Sequence, residues 1–402
     1  MRKRRQIITS GPRPRDPYAR SVARSPSKSA APTPPSAPGG APGAAPGGAR
    51  AISAVVPAQG VRSPLGPSAA DLARVDLSVD LCPRLPGKLV LRNPVMTASG
   101  TFGYGVEYGE VIDVQQLGAI CCKGTTLEPR TGNRPPRVTE TPAGMLNSIG
   151  LQNPGVDAVL EKYADLWASW EVPVIVNVAG YSIEDFASVA RKLDGMPGIA
   201  GIELNISCPN VRGGLQFAVD KDDAGAVTAA VRRATDLPLM VKLSPNVADV
   251  RAIARAIEDG GADSISAINT LSGMAMDRAR RKPLLGNTYG GLSGPAIRPV
   301  ALRIVYEVAQ VVRIPIVAIG GVAALDDVLD FLMAGASAVQ VGTALFADPA
   351  LPIRLIDELA AWCAARGLTS HRELIGAALP PGKGGSGHGR DRPSVKGVEY
   401  RP

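Results

Sequence analysis

Between residues 94 and 365 short apolar runs alternate with longer amphipathic stretches. Eight of the runs, 94–97, 118–122, 173–178, 200–206, 238–243, 264–268, 315–319 and 338–341, are rich in Val, Ile, Leu and Ala, with few polar positions between them. Strands covered on both faces carry this continuous pattern, because parallel sheets are buried under helices. The stretches 154–170, 182–193, 220–234, 247–259, 295–312, 325–334 and 349–365 predict helices, while 123–150 and the residues after 268 predict loops. Eight parallel strands with intervening helices close into a TIM (β/α)8 barrel, an α/β fold. A doubly wound open sheet is the alternative, but no G-x-G-x-x-G follows the first strand.

The two ends of the chain do not share this pattern. Residues 1–70 are rich in Pro, Ala, Gly, Ser and Arg, and such a stretch buries too little apolar surface to offset its ordering entropy. They predict a disordered extension, followed by one barrel domain over 71–379 and a flexible tail over 380–402. The Arg- and Ser-rich, acid-poor extension also fits a targeting peptide, but its Pro/Gly run breaks the amphipathic helix such a peptide needs. A misplaced translation start is a third reading of the same residues.

Charge changes the picture only at the N-terminus. The chain carries +8 overall, yet residues 1–70 hold 11 of its 44 Lys and Arg and one of its 36 acids. The remaining 33 basic and 35 acidic residues leave the body near neutral, which argues against a nucleic-acid-binding body. No apolar run approaches the roughly 20 residues of a membrane span. Cys82, Cys121, Cys122, Cys208 and Cys363 show no C-x-x-C spacing, so neither zinc nor an iron–sulfur cluster is written in this chain. An odd cysteine count without a secretory signal predicts a cytoplasmic protein. With only His371 and His388, histidine-based nucleophilic catalysis has few places to reside.

In a barrel the chemistry belongs at the C-terminal strand ends. Those ends carry Ser99, Lys123-Gly124, Asn177, Asn205 to Asn210, Lys242, Asn269-Thr270, Gly320-Gly321 and Gly342-Thr343. The glycines after strands seven and eight bring bare backbone N–H groups together, as a barrel phosphate site does; tight turns alone also require glycine. Lys123 and Lys242 each end an apolar strand, where an ammonium needs an anionic partner. That partner is a ligand, or a structural carboxylate such as Glu203. Asn177 and Asn205 offer donors and an acceptor to a heterocycle or amide. Cys208 lies outside its apolar run, between hydrogen-bonding residues, which favours chemistry over core packing; Cys121 and Cys122 fit packing on opposite faces of one strand. A phosphate site, two cations, several amides and one thiol suit flavin mononucleotide (FMN) above a small polar substrate, with the thiol as acid or base.

The segments 93–102, 123–130, 145–154, 205–210 (Asn-Ile-Ser-Cys-Pro-Asn), 241–246, 268–270 and 290–295 resemble class 1 dihydroorotate dehydrogenase. Within it they are most similar to the catalytic subunit of the NAD-dependent subtype, over about residues 75–365. Membrane-associated class 2 enzymes carry serine where this chain has Cys208. The resemblance implies FMN-dependent oxidation of dihydroorotate to orotate in pyrimidine synthesis. Cys208 would remove the C5 proton while the C6 hydride passes to flavin N5. It implies FMN contacts from Ser99, Lys123, Gly124, Asn177, Asn205, Lys242, Ile268, Gly294, Gly320, Gly321, Gly342 and Thr343. It implies substrate contacts from Lys123, Asn147, Ser148, Ile149, Gly150, Leu151, Asn205, Asn269 and Thr270. It also implies a partner subunit carrying FAD and a 2Fe-2S cluster, two of each subunit forming a heterotetramer, with NAD as acceptor. The fumarate-using class 1 enzyme, which has no partner, is the nearest alternative. A flavin-dependent tRNA dihydrouridine synthase is another, but it requires a basic body or an RNA-binding domain.

Overall fold

A computed structural model describes residues 68–206 and 216–381. The extension up to residue 67, the segment 207–215 with Cys208, and most of the 380–402 tail lie outside the described residues. A short helix, Ala69–Leu72, already begins before residue 71.

Eight parallel strands form a closed barrel: Val95–Thr97 (β1), Ala119–Cys121 (β2), Val174–Val178 (β3), Gly201–Leu204 (β4), Leu239–Leu243 (β5), Ser264–Ala267 (β6), Ile316–Ile319 (β7) and Ala338–Val341 (β8). Each pairs with its sequence neighbours, and β8 returns to β1. Every residue of β3 and β5 is buried, as continuous apolar strands under helices should be. The helices are Val156–Ala168 (α1), Ile183–Leu193 (α2), Lys221–Ala234 (α3), Val250–Asp259 (α4), Arg298–Ala309 (α5), Leu325–Met333 (α6) and Leu351–Ala364 (α7). Side-chain caps set several starts. Ser182 accepts from the Asp185 N–H in a capping box, and Asp220 accepts from the Asp222 and Asp223 N–H groups. Asp249 caps α4 from the Arg251 and Ala252 N–H groups, which is why that helix begins at Val250 and not at the expected 247. Between β1 and β2 there are only single turns, Val106–Tyr108 and Val114–Gln116.

A hairpin of Val79–Asp80 and Val90–Leu91 closes the N-terminal end. Its Leu81, Cys82, Leu89 and Leu91 pack on Met96, Cys121, Ile175, Met240 and Val317 inside the barrel. The bottom is thus plugged with apolar side chains, and a ligand has only the other end to enter.

At that other end the structure departs from the expected loops. Residues Val138–Thr141 and Gly144–Asn147 form a hairpin. Gly144–Asn147 pairs in turn with Gly290–Ser293, which pairs with Leu271–Gly273. This four-stranded antiparallel sheet stands beside the barrel mouth and joins two loops more than 120 residues apart in sequence. Among the described residues no helix is long and apolar enough to cross a membrane.

Candidate active site

The C-terminal strand ends and the accessory sheet enclose a cavity of about 320 Å³, within the ~300–1,000 Å³ of small-molecule sites. Its wall takes Ser99 from after β1, Lys123 and Gly124 from after β2, Asn177 from β3, Asn205 from after β4 and Lys242 from β5. Ile268, Gly294, Gly320, Gly321, Gly342 and Thr343 complete the side expected to face a cofactor. Asn147, Ile149, Gly150, Leu151, Asn269 and Thr270 line the same cavity from the accessory sheet and its flanks. Ser148 does not. Its side chain is fully buried away from the wall, its N–H donates to the Arg137 carbonyl, and its own carbonyl accepts from Asn133 Nδ2. Successive residues of extended chain face opposite ways, so Asn147 and Ile149 look in while Ser148 looks out. Leu151 holds a left-handed backbone (φ 57), a conformation that costs energy for a branched side chain and recurs at ligand clamps.

The floor of the cavity rests on a buried polar network. Glu203, at the centre of β4, is fully buried. Its Oε1 accepts from Asn177 Nδ2 at 2.6 Å and from Lys242 Nζ at 3.3 Å; its Oε2 accepts from Gln340 Nε2 at 2.9 Å. Burial opposes ionisation, but the Lys242 charge and the hydrogen bonds from Gln340, Asn177 and Cys121 outweigh it and hold the carboxyl below its usual range. The Cys121 thiol is pushed well up by burial first and by Glu203 second, so it stays protonated. Lys242 Nζ also reaches Ser99 Oγ at 3.3 Å. Of the two sequence readings of Lys242, the structure shows the pairing with Glu203, and it places the same side chain on the cavity wall. Among the described residues Lys123 forms no ion pair, and no carboxylate lines the cavity.

The polar edge is tied together in the same way. Asn269 Nδ2 donates to Asn205 Oδ1 at 3.2 Å, and Asn246 Nδ2 donates to the Thr270 carbonyl at 3.0 Å. Asn147 Nδ2 donates to the Gly291 carbonyl at 3.4 Å. Near the last two strands Gly320 (φ 127) and Gly321 (φ 83) occupy backbone conformations closed to other residues. A Cβ on Gly321 would lie 2.6 Å from Arg298 Cβ. Beside them, Thr343 Oγ1 donates to Ser293 Oγ at 2.8 Å and opens a single turn, Thr343–Phe346. Sequence reasoning missed Gln340, Ser293 and Gly291; a glutamine in the middle of the otherwise apolar β8 was the available signal for the first.

This arrangement suits an anion with a flat, amide-bearing ring: two ammonium groups, that of Lys242 paired below with the buried Glu203, a rim of carboxamides, exposed backbone at glycines and, among the described residues, no carboxylate on the wall. The family model of dihydroorotate dehydrogenase matches residues 81–362. The chain is 52% identical over 292 residues to the dihydroorotate dehydrogenase B (NAD(+)) catalytic subunit of Trichlorobacter lovleyi, covering 72% of this chain and 96% of that one. It is 53% identical over 293 residues to the subunit of the same name from Desulforamulus reducens, covering 73% and 96%. The chain belongs to the dihydroorotate dehydrogenase family. It is accordingly an oxidoreductase. A solved structure of the Eimeria tenella enzyme in complex with ferulenol superposes with a TM-score of 0.65 at 20% identity, covering 76% of this chain and 89% of that one, a likeness of fold alone.

Proposed function

We propose that the chain is the catalytic subunit of an NAD-dependent dihydroorotate dehydrogenase, oxidising dihydroorotate to orotate in pyrimidine synthesis with FMN as its cofactor. The observation that carries this reading is the cavity wall, with Lys123 and Lys242, carboxamides on two sides and, among the described residues, no carboxylate. The donor set fits FMN. Backbone at Gly320, Gly321, Gly342 and Thr343 suits a phosphate, and Lys242, Asn177 and Asn205 suit the polar edge of the ring. When bound, FMN supplies the two-electron acceptor for the hydride that leaves C6 of dihydroorotate.

The protein's own part is binding, orientation and proton transfer. Asn147, Asn205, Asn269 and Thr270 match the amide edges of dihydroorotate, and Lys123 offers its ammonium to the substrate carboxylate. Cys208, three residues beyond the cavity-lining Asn205, takes the C5 proton on its sulfur, so one proton and one hydride leave the substrate together. The partner is an electron-transfer subunit with FAD and a 2Fe-2S cluster, in a heterotetramer of two subunits of each kind, passing electrons on to NAD. The names of the relatives, each a catalytic subunit, support a partnered enzyme over a fumarate-using one.

The test is anaerobic mixing of the purified chain with dihydroorotate while flavin absorbance is followed. Bleaching at the wavelength of oxidised flavin is expected. A flavin-loaded protein that keeps its colour refutes the substrate, and a chain that takes up no FMN on reconstitution refutes the cofactor. Reoxidation of the bleached chain by fumarate alone refutes the partnered NAD subtype.

A further inference from the structure

We propose that Glu203 is a positioning residue that sets how much positive charge the cavity presents to its cofactor, acting through Lys242 and Asn177. The inference rests on the FMN reading above and concerns a residue that does not itself line the cavity.

Adjacent parallel strands place these groups on one inward face. Asn177 lies beside Glu203 in the β3–β4 register, and Glu203 lies beside Met240, two residues before Lys242 on β5. Asn177 and Lys242 reach the cavity; Glu203 and Gln340 lie beneath them. The carboxylate thus grips the undersides of two cavity-lining side chains. Both of its oxygens have donors, so its orientation is fixed and not shared among rotamers.

A buried carboxylate is costly, and replacing a buried ion pair by well-packed neutral groups is often neutral or stabilising. Stability alone is a weak reason for Glu203 to be charged. Its effect on the cavity is specific: the negative charge offsets the Lys242 ammonium, whereas Lys123 forms no ion pair among the described residues. Two-electron reduction of a flavin to its anionic form adds negative charge to the ring, and charge near the ring tunes its potential. An uncompensated Lys242 therefore favours the reduced cofactor, and Glu203 restrains that bias.

The experiment measures the two-electron midpoint potential of FMN in the full chain for wild type, Glu203→Gln, Lys242→Met and the double variant. Glu203→Gln keeps the shape and removes the charge. It is expected to favour reduction at least tenfold, a rise of about 30 mV for a two-electron couple. Lys242 is itself proposed to touch the ring, so its loss alone moves the potential; the reading is taken from Glu203→Gln on the Lys242→Met background, where it is expected to move the equilibrium by no more than about threefold, roughly 15 mV. A Glu203→Gln potential equal to wild type, or a Glu203→Gln shift as large on the Lys242→Met background as on wild type, overturns the proposal. If Glu203→Gln alone does not fold, Lys242→Met against the double variant decides: a step of tenfold or more between them refutes it. A wild-type chain that holds no FMN fails the functional reading and this inference together, whereas an unmoved variant potential in a flavin-loaded chain fails this inference alone.

Discussion

Gly291 tests whether the accessory sheet builds the substrate half of the site. It sits in the strand Gly290–Ser293, opposite Ser272 on one side and Asn147 on the other. A Cβ there would lie 2.0 Å from Thr270 Oγ1 and 2.6 Å from Thr270 Cβ, where ordinary contact begins at 3.4 Å. Rotating the threonine hydroxyl relieves the first clash but not the second, because Cβ moves only with the backbone. Gly291→Ala must therefore push Thr270, or the strand carrying Gly291, by about 0.8 Å. The Gly291 carbonyl also accepts from Asn147 Nδ2, so a second proposed substrate contact shifts with it. A misplacement of ~1 Å can cost about 100-fold in rate, or ~2.7 kcal/mol of transition-state stabilisation. Stopped-flow bleaching of bound flavin by dihydroorotate reads this directly, with the flavin content of the variant as the control. The expected result is a kcat/KM about 100-fold down in a chain that still holds FMN. A flavin-loaded variant within about threefold of wild type shows that Thr270 and Asn147 are not both substrate contacts, since the clash displaces at least one of them.

The other predictions concern the base, the phosphate loop and the pH dependence of folding. Cys208→Ala is expected to keep its flavin and lose ~10²–10⁴-fold in turnover, the range of a general base; normal turnover removes the thiol from the chemistry. Gly321→Ala forces a side chain into a left-handed backbone and against Arg298, and an FMN titration by fluorescence is expected to show at least about tenfold weaker binding. Unchanged affinity places the phosphate elsewhere. Burial pushes the His371 imidazole down to about 4 from 6.5. The unfolded chain therefore binds this proton at a higher pH than the folded one. The stabilisation is complete above pH 6.5 and is lost as pH falls through 6.5 towards 4, by about 3 kcal/mol at most. Denaturant unfolding of wild type against His371→Leu checks this, and a stability difference independent of pH across that window contradicts it.

The barrel was legible because its strands carry their burial in their own residues. Val174–Val178 and Leu239–Leu243 are apolar on both faces save for Asn177 and Lys242, and those two exceptions mark the cavity. The accessory sheet was not legible, for an equally local reason. Val138–Thr141 alternates exposed and half-buried positions with no apolar face, and Gly290–Ser293, two strands over in the same sheet, starts with two glycines, which are poor strand formers. The pairing between Gly144–Asn147 and Gly290–Ser293 spans more than 140 residues, so no short window of sequence contains it. Ser148 misled because a motif is contiguous while the wall it contributes to is not. Its neighbours Asn147 and Ile149 face the cavity, and the pleat turns the residue between them outward. Lys242 pairs with Glu203 while lining the cavity, and an apolar strand ending in lysine cannot by itself tell an ion pair from a ligand contact.

The two halves of the site differ in what holds them. Most of the residues proposed for the cofactor sit on, or within a few residues of, buried barrel strands; Gly294, at the end of the accessory strand Gly290–Ser293, is the exception. Of the residues proposed for the substrate, Lys123, Asn205 and Asn269 also follow barrel strands, while Asn147 and Thr270 lie on or beside a sheet whose outer strand is part-exposed and whose register depends on non-local pairing. That sheet is held to the barrel by Leu271 and Leu292, which pack against the main core, and by two polar contacts, Asn246 to the Thr270 carbonyl and Thr343 to Ser293 beside the glycine loops. Each polar contact links an accessory residue to a group anchored near a barrel strand end.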